Sequence, residues 1–466
     1  MDETMEKQRK LAVPKIRFTT TQIIMLTFLA VIGIGTLLLM LPVSTASGQG
    51  APFLTALFTS TTSVCVTGLV VVDTYAYWSL FGKVVILLLI QVGGLGVITI
   101  CSLALLMMRK RFSLGMRLVI RDYYNMTSLR GLIRFMRKVV RGTLLVEGVG
   151  AALYAFILIP RGGFVKGLWQ SVFTSVSAFC NAGIDIFGPD SLIPFQTNVP
   201  MNIITMLLII FGGLGYVVWF DFIQAFRVCR RTKNGFRTFW SRLHEHTRLV
   251  ISMTLILLIG GMLLVFIGEH DNPGTIGTMS LGDKLMTSLF QSVTFRTAGF
   301  ATVPQQALSP FTCIGGLALM FIGGSPAGTA GGVKTVTVAI LLINVFTYIR
   351  QENETVIYGR RVTHEMVSKA VAIVSVSLTM TIVFIMVLLK VSDAPPMAAA
   401  YEIFSATGTV GLSRGLTSTL SAAGQVVVIL AMYAGRVAPI SMALFFTIEN
   451  EPKKNVRYPA GKFVIG

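Results

Sequence analysis

The sequence predicts an all-α integral membrane protein built from four helix–re-entrant loop–helix repeats, with eight spanning helices and four re-entrant half-helices. Two observations predict it. The first is composition: of 466 residues, 53% are hydrophobic and only 13% charged, where soluble domains carry about 25% charged residues. The second is an eight-residue pattern that occurs four times, at 62–69 (TSVCVTGL), 177–184 (SAFCNAGI), 293–300 (VTFRTAGF) and 405–412 (SATGTVGL). Its second position is Ser, Thr or Ala, its seventh is always Gly and its eighth is apolar. The glycines, Gly68, Gly183, Gly299 and Gly411, lie 115, 116 and 112 residues apart, and a regular period of this kind marks an internal repeat. A pair of small residues follows each copy: Gly-Gly at 93–94, 212–213 and 323–324, and Ala-Gly at 434–435.

Taken in order, the apolar run 21–41 spans the membrane and Pro42 ends it. It is too long for a signal-peptide core and reads as a retained first helix. Residues 53–63 are apolar and rich in small side chains, but ten or so residues cannot cross a hydrocarbon core of ~30 Å, so they fit a re-entrant half-helix. Residues 80–108 return. The second repeat reads as 139–160, half-helix 168–179 and return 201–226. The third reads as 249–267, 285–294 and 311–345, and the fourth as 371–389, 398–406 and 426–447. The domains that follow are a cytoplasmic N-terminus (1–18), repeats at 19–122, 123–240, 241–360 (with an interrupted stretch at 321–335) and 361–450, and a cytoplasmic tail (451–466). No soluble domain remains.

The net charge of +19 has the sign for nucleic acid, but its placement argues otherwise. Residues 109–141 hold ten Lys/Arg against Asp122, and 227–248 hold seven against Glu245. Arg350, Arg360, Arg361 and Lys369 mark 350–369, offset by three Glu. The opposite loops 43–52 and 301–309 carry no charge, and 185–197 carry only Asp185 and Asp190. This is the positive-inside pattern, and it puts both termini in the cytoplasm of a multi-pass protein of the cell membrane. Five cysteines, an odd number, give no disulfide framework. His244, His246, His270 and His364 lie in loops without metal-ligand spacing or a nucleophile pair, which argues against a membrane enzyme.

Non-helical backbone at membrane depth is tolerated only where protein covers it or it lines a water-filled path. Glycine reaches φ > 0 without penalty, so four such turns around one axis can aim carbonyls inward and replace the water shell of a cation. The segments that supply them are Cys65-Val66-Thr67-Gly68, Cys180-Asn181-Ala182-Gly183, Arg296-Thr297-Ala298-Gly299 and Thr409-Val410-Gly411. The competing explanation, helix-packing glycines, accounts for any one copy but not for four in register. The fold class is then four helix–pore-loop–helix repeats around a pseudo-fourfold pore.

Residues 409–412 (TVGL) look like a degenerate potassium-channel signature. Residues 296–300 (RTAGF) and 323–335 (GGSPAGTAGGVKT) resemble the Trk/Ktr/HKT superfamily of potassium transporters, and the similarity runs through essentially the whole chain. About twenty residues precede the first span, without two extra N-terminal helices, which resembles the membrane subunits of the Ktr branch. The resemblance implies potassium uptake, with potassium at the filter as the permeant ion, sodium as a candidate activator and no cofactor in this chain. It also implies a homodimer and a cytoplasmic nucleotide-binding regulatory ring (KtrA-like) that loops 109–141, 227–248 and the tail 449–466 would meet. Glycine at all four filter positions goes with potassium preference in this family. Cys65 in place of a usual Thr, Phe295 before Arg296 and Ala438 in place of a usual Gly depart from the pattern.

Gly323, Gly324, Gly328, Gly331, Gly332 and Pro326 fall inside one spanning run, with Ser325 among them. Gly costs ~1 and Pro ~3 kcal/mol in a helix interior, so this stretch unwinds; with the resemblance it reads as a gate loop beneath the filter. Arg436 stands mid-way in an uncharged run and needs carbonyl or carboxylate partners. The expectation is that it reaches the gate loop and adds a barrier to cations, with Lys334 doing the same or standing in cytoplasmic water. Arg296 is expected to point off-axis, with Glu402 as a candidate partner. Glu147 fits a coupling-ion site or an interhelical hydrogen bond; Asp221 is a second near-membrane acid. Asp73, Asp185, Asp190 and Asp271 fit a cation-gathering mouth or solvated surface. The alternative function is a sodium- or proton-coupled carrier using buried carboxylates, for which the acids are few.

Overall fold

The computed structural model describes residues 20–96, 99, 131–232 and 236–437. The expected N-terminus 1–18, residues 109–130 of the basic segment 109–141, Ala438 and the tail 449–466 lie outside them. Among the described residues four helices hold stretches long and apolar enough to cross a membrane: α1 (Thr20–Leu39), α4 (Leu132–Gly162), α9 (Glu245–Glu269) and α13 (His364–Val391). They are the first helices of the four sequence repeats. Their outer faces expose large apolar side chains such as Phe156, Ile256 and Met386, as lipid contact requires. The fold is that of an all-α membrane protein.

Behind each of them lies a shorter helix whose C-terminal turn carries the repeated motif: α2 (Phe53–Cys65), α5 (Phe164–Cys180), α10 (Leu281–Phe295) and α14 (Pro396–Gly408). They run 13 to 17 residues; the first starts at Phe53, as the apolar pattern predicts, and the other three start two to four residues earlier than it predicts. In three repeats a serine joins this helix to the one before it. Ser60 Oγ donates to Ile32 O (2.7 Å), Ser175 Oγ to Glu147 O (2.7 Å) and Ser292 Oγ to Leu258 O (2.8 Å). Three residues past each carbonyl stands a glycine, Gly35, Gly150 or Gly261, where a Cβ would collide with that serine. Small residues and a hydroxyl are what membrane helices use for close approach.

The third element of each repeat is α3 (Leu80–Leu95), α6 (Val199–Leu214), α11 (Pro310–Phe321) and α15 (Ala422–Val437). All four start on the same device. Ser79, Asn198, Ser309 and Ser421 accept from the backbone N–H three residues on, at 3.0–3.3 Å, which satisfies one of the orphan donors of a helix start.

The sequence reading of the first two return segments as continuous spans needs correction, whereas the break in the third is the one its glycines and proline call for. α3 stops at Gly96 (φ +86°) and α6 at Gly215 (φ +89°), backbone that a right-handed helix cannot continue. After Gly215, α7 (Tyr216–Thr232) leaves at 98° to α6. In the third repeat α11 ends at Phe321 and α12 restarts at Thr335 and runs to Ile349. The basic segments also differ from plain loops. Arg134, Arg137, Lys138 and Arg141 ride on the first turns of α4, and Arg227 and Arg230 on α7, with α8 (Phe236–Arg242) following. A two-residue hairpin, β1 (Val356–Ile357) with β2 (Arg360–Arg361), lies against α9 through Arg360–Glu245 (3.2 Å) and Tyr358 Oη–Ser252 Oγ (2.9 Å).

The serine–glycine contact yields a graded prediction for thermal unfolding in detergent. Ser175→Ala loses one interhelical hydrogen bond and should cost about 0.6 kcal/mol. Gly150→Leu drives a side chain into Ser175 and Leu208 and should cost about 1–3 kcal/mol. Equal melting temperatures for the two variants would contradict this packing.

Candidate functional site

Each motif forms a tight hairpin at the C-terminal end of its short helix. Two residues before the glycine the backbone is left-handed: Val66 (φ +56°), Asn181 (+60°), Thr297 (+69°) and Thr409 (+52°). Positive φ is uncommon outside glycine and an outlier for a β-branched side chain, yet it recurs at this one position in every copy. The next residue returns to negative φ, and the glycine is positive again: Gly68 +99°, Gly183 +64°, Gly299 +81°, Gly411 +98°. Alternating the sign of φ in this way turns successive carbonyls toward the same side instead of opposite sides of the strand.

The four glycines meet. A Cβ on Gly68 would stand 2.5 Å from Ala182 O, on Gly183 2.6 Å from Ala298 O, and on Gly299 2.7 Å from Val410 O; on Gly411 it would strike Thr67 O. Each glycine thus abuts the carbonyl just before the glycine of the next hairpin, and the order 68, 183, 299, 411 closes on itself. The C-terminal ends of α2, α5, α10 and α14 all deliver to this ring, bringing the negative ends of four helix dipoles with them. Thr67 Oγ1, Thr297 Oγ1, Thr409 Oγ1 and Asn181 Nδ2 are buried there without a hydrogen-bond partner, where buried polar atoms ordinarily have one.

The third hairpin is wound differently. Thr67 N, Ala182 N and Val410 N donate to Thr62 O, Ser177 O and Ser405 O, but Ala298 N donates to Thr294 O, one residue nearer. Aligned on the helix, Thr294 takes the place of Thr62, Ser177 and Ser405, so this hairpin is one residue shorter than a glycine-based alignment implies. Arg296 sits at the shortened corner (φ −89°, ψ 55°). It is buried, its Nε has no partner, and the expected pairing with Glu402 is not made. Both Glu402 oxygens instead accept from Ser413 and Thr417.

Against the ring lies the glycine-rich loop 322–334. Its amides use carbonyls freed where α6 breaks: Ser325 N donates to Gly213 O (2.9 Å) and Thr329 N to Gly212 O (3.1 Å), while Tyr216 N donates back to Ala327 O (3.0 Å). Thr329 Oγ1 reaches Phe179 O (3.1 Å) and Asn181 Oδ1 (3.3 Å). Gly331 abuts Thr409, and Gly328 has room only for a hydrogen beside Gly212 O. Within the loop, Gly323 N donates to Val333 O, Gly324 N to Gly331 O and Ser325 Oγ pairs with Thr335 Oγ1. Arg436 Nη1 donates to Thr329 O and Nη2 to Gly93 O, both at 2.6 Å, and Lys334 Nζ to Ala330 O at 2.7 Å. A cavity of about 320 Å³ runs beneath the ring beside Gly331, Lys334, Thr407, Gly408 and Arg436. Sequence reasoning missed Thr329 and the carbonyls of Gly93, Gly212 and Gly213; the repeated glycine pairs were the signal that could have found them.

Other candidate acids have local partners. Glu147 Oε2 accepts from Gln91 (3.0 Å) and Oε1 faces Cys180 Sγ (3.7 Å); Asp221 accepts from His244 N (2.9 Å) at the start of α9. Asp185, two residues beyond Gly183, is pushed up to about 6 by burial, with the Asp73 charge adding a little and hydrogen bonds from Ser191 and Phe187 N opposing. Among the described residues no three His, Cys, Asp or Glu side chains gather as a metal site.

A profile of the TrkH family, described as cation transport protein, matches residues 5–458. The chain belongs to the TrkH family. This is a family of ion transporters, not enzymes. The TrkH-family chain is 36% identical to the Ktr system potassium uptake protein B of Bacillus subtilis (strain 168), over 99% of this chain and 100% of that one. It is also 36% identical to the potassium/sodium uptake protein NtpJ of Enterococcus hirae, over 97% and 98%. The solved structure of the potassium transporter TrkH from Vibrio parahaemolyticus shares the fold, with a TM-score of 0.72 at 17% identity over 93% of this chain and 86% of that one.

Arg436 ties the loop of this TrkH-family chain, through Thr329 O, to Gly93 O at the end of α3, and hydrogen bonds to charged groups are worth about 1.5–3 kcal/mol. Arg436→Ala should therefore raise hydrogen–deuterium exchange across 323–332 by about tenfold or more, with exchange in α9 unchanged. Unaltered exchange in the loop would show that the glycine carbonyls alone hold it.

Proposed function

We propose that this chain takes up potassium across the cell membrane through a filter formed by its four hairpins and gated by loop 322–334. The single observation that carries the reading is the closed glycine–carbonyl ring. Carbonyl dipoles in such a ring replace the hydration shell of a permeating cation, and only glycine lets neighbouring backbones come this close. The unpartnered hydroxyls of Thr67, Thr297 and Thr409 at the ring, whose lone pairs are free, and the helix dipoles aimed at it, favour a positively charged occupant.

In this reading the architecture is four helix–pore-loop–helix repeats around a pseudo-fourfold axis, with both termini cytoplasmic. The filter is made by Cys65 to Gly68, Cys180 to Gly183, Arg296 to Gly299 and Thr409 to Gly411. Gly323, Gly324, Ser325, Pro326, Gly328, Gly331 and Gly332 form the gate, and Lys334 and Arg436 place positive charge on the path. The names of the relatives, potassium uptake protein and potassium/sodium uptake protein, support the ion assignment. The word system in the first of them fits a partner component, here a cytoplasmic nucleotide-binding ring, and the same resemblance supports a homodimer. Sodium is the candidate activator.

The test is ⁸⁶Rb⁺ uptake into liposomes holding the full chain, competed by potassium or sodium. Gly68→Ser puts a Cβ against Ala182 O and should lower potassium-over-sodium preference by about tenfold or more, a change of about 1.4 kcal/mol between the two ions. Unchanged preference would remove the ring from the ion path and with it this function.

A further inference from the structure

Outside the ring and the gate loop, the buried carboxylates among the described residues are Glu147, Asp221, Glu269 and Glu402, and Asp221 is taken up by His244 N at the start of α9. Glu269 accepts from Asn272, Thr275 and Ser309, and its role ends with anchoring the start of α11. Glu147 is an interhelical link to Gln91. Glu402 is different, because its partners lie on the other side of a filter glycine.

Glu402 belongs to α14, the helix that delivers Thr409, Val410 and Gly411. Its Oε2 accepts from Ser413 Oγ at 2.7 Å and its Oε1 from Thr417 Oγ1, both on the leg that leaves the ring. One side chain therefore closes the fourth hairpin across Gly411. Ser413 Oγ in turn accepts from Gly415 N (3.1 Å) and Thr417 N (3.4 Å), so the hydroxyl held by the carboxylate also shapes the turn. From the same turn Arg414 reaches the other way, donating to Gln306 O (2.9 Å) and Leu308 O (3.4 Å) on the leg after Gly299.

The neighbouring hairpin has a counterpart at the matching place. With its one-residue shortening, the third copy puts Gln291 where the fourth has Glu402, and Gln291 Nε2 donates to Gln305 Oε1 at 2.8 Å. Gln305 lies six residues past Gly299, as Thr417 lies six past Gly411. Tyr401 Oη also donates to Gln305 Oε1 at 2.8 Å, which links the two braces. The first and second copies have Thr59 and Thr174 at this place, side chains too short to cross.

We propose that Glu402 is a positioning residue for ion discrimination: its carboxylate fixes the width of the ring on the side of the third and fourth hairpins by holding Ser413 and Thr417. The inference rests on the filter reading above and adds to it that discrimination is set by the side-chain braces across the third and fourth hairpins; the second is crossed one turn earlier, by Gln170 Nε2 to Ile186 O at 3.4 Å. A carboxylate offers an acceptor to each hydroxyl. Alanine offers none, and glutamine keeps the shape with one acceptor and one donor, either of which a hydroxyl can meet.

The test measures the potassium and sodium concentrations that halve ⁸⁶Rb⁺ uptake by the full chain in liposomes, for Glu402→Ala, Glu402→Gln, Ser413→Ala with Thr417→Val, and Gly68→Ser. Glu402→Ala and the double variant should each lower potassium-over-sodium discrimination by about tenfold, because a loosened site loses selectivity before it loses throughput. Glu402→Gln should restore most of it. A residue serving only stability would lower folded yield and maximal uptake together and leave the ratio alone. If Glu402→Ala does not fold, the double variant decides by the same ratio. An unchanged ratio in these variants with a collapsed ratio in Gly68→Ser overturns the inference and spares the filter; an unchanged ratio in all of them overturns the filter reading itself.

Discussion

Everything in this structure defers to one contact: a glycine with no side chain lying against the carbonyl oxygen of the next hairpin, repeated until the circle closes. No other residue fits, since a Cβ at Gly68, Gly183 or Gly299 would stand 2.5–2.7 Å from an oxygen. Backbone so close together must satisfy its polar groups locally. The hydroxyls of Thr62 and Ser405 do so by accepting from Gly68 N and Gly411 N, and those of Ser177 and Thr294 by donating to Ile184 O and Phe300 O. The same small set of hydroxyls thus works as acceptor in two hairpins and donor in the other two.

The rest of the fold brings backbone up to that circle and keeps it there. The pairs of small residues let Gly93, Gly212 and Gly435 press on carbonyls of the last helical turns before the ring, Val64 O, Phe179 O and Thr407 O. Breaking α6 after this contact frees the carbonyls of Gly212 and Gly213, and the loop of the third repeat takes them. The loop is held there by backbone bonds to Gly212 and Gly213 and by Arg436.

Much of this was legible in the chain. The repeat, the short helices and the glycines were visible because each leaves a local mark: a period, a length or a residue type that alone tolerates φ > 0. The unwound stretch 323–332 was legible from Gly and Pro content, and Arg436 from the cost of an unpaired charge in an apolar run. What escaped depends on contacts between distant segments. The break at Gly215 is invisible in hydropathy, because Tyr216–Thr232 stays apolar enough to prolong the run. The one-residue shortening before Gly299 was hidden because aligning on glycine absorbs it. Charge alone made Glu402 a candidate partner for Arg296, whereas the neutral hydroxyls of Ser413 and Thr417 take both its oxygens.

The most direct test of the account is anomalous diffraction from crystals of the full chain grown with thallous ion, a potassium mimic that reports its own position. The account predicts density on the axis of the ring, shared among the carbonyls of Thr67, Ala182, Ala298 and Val410 and lost when Gly68 is replaced by serine. Thallium bound only elsewhere, with the ring empty at saturating ion, would contradict it.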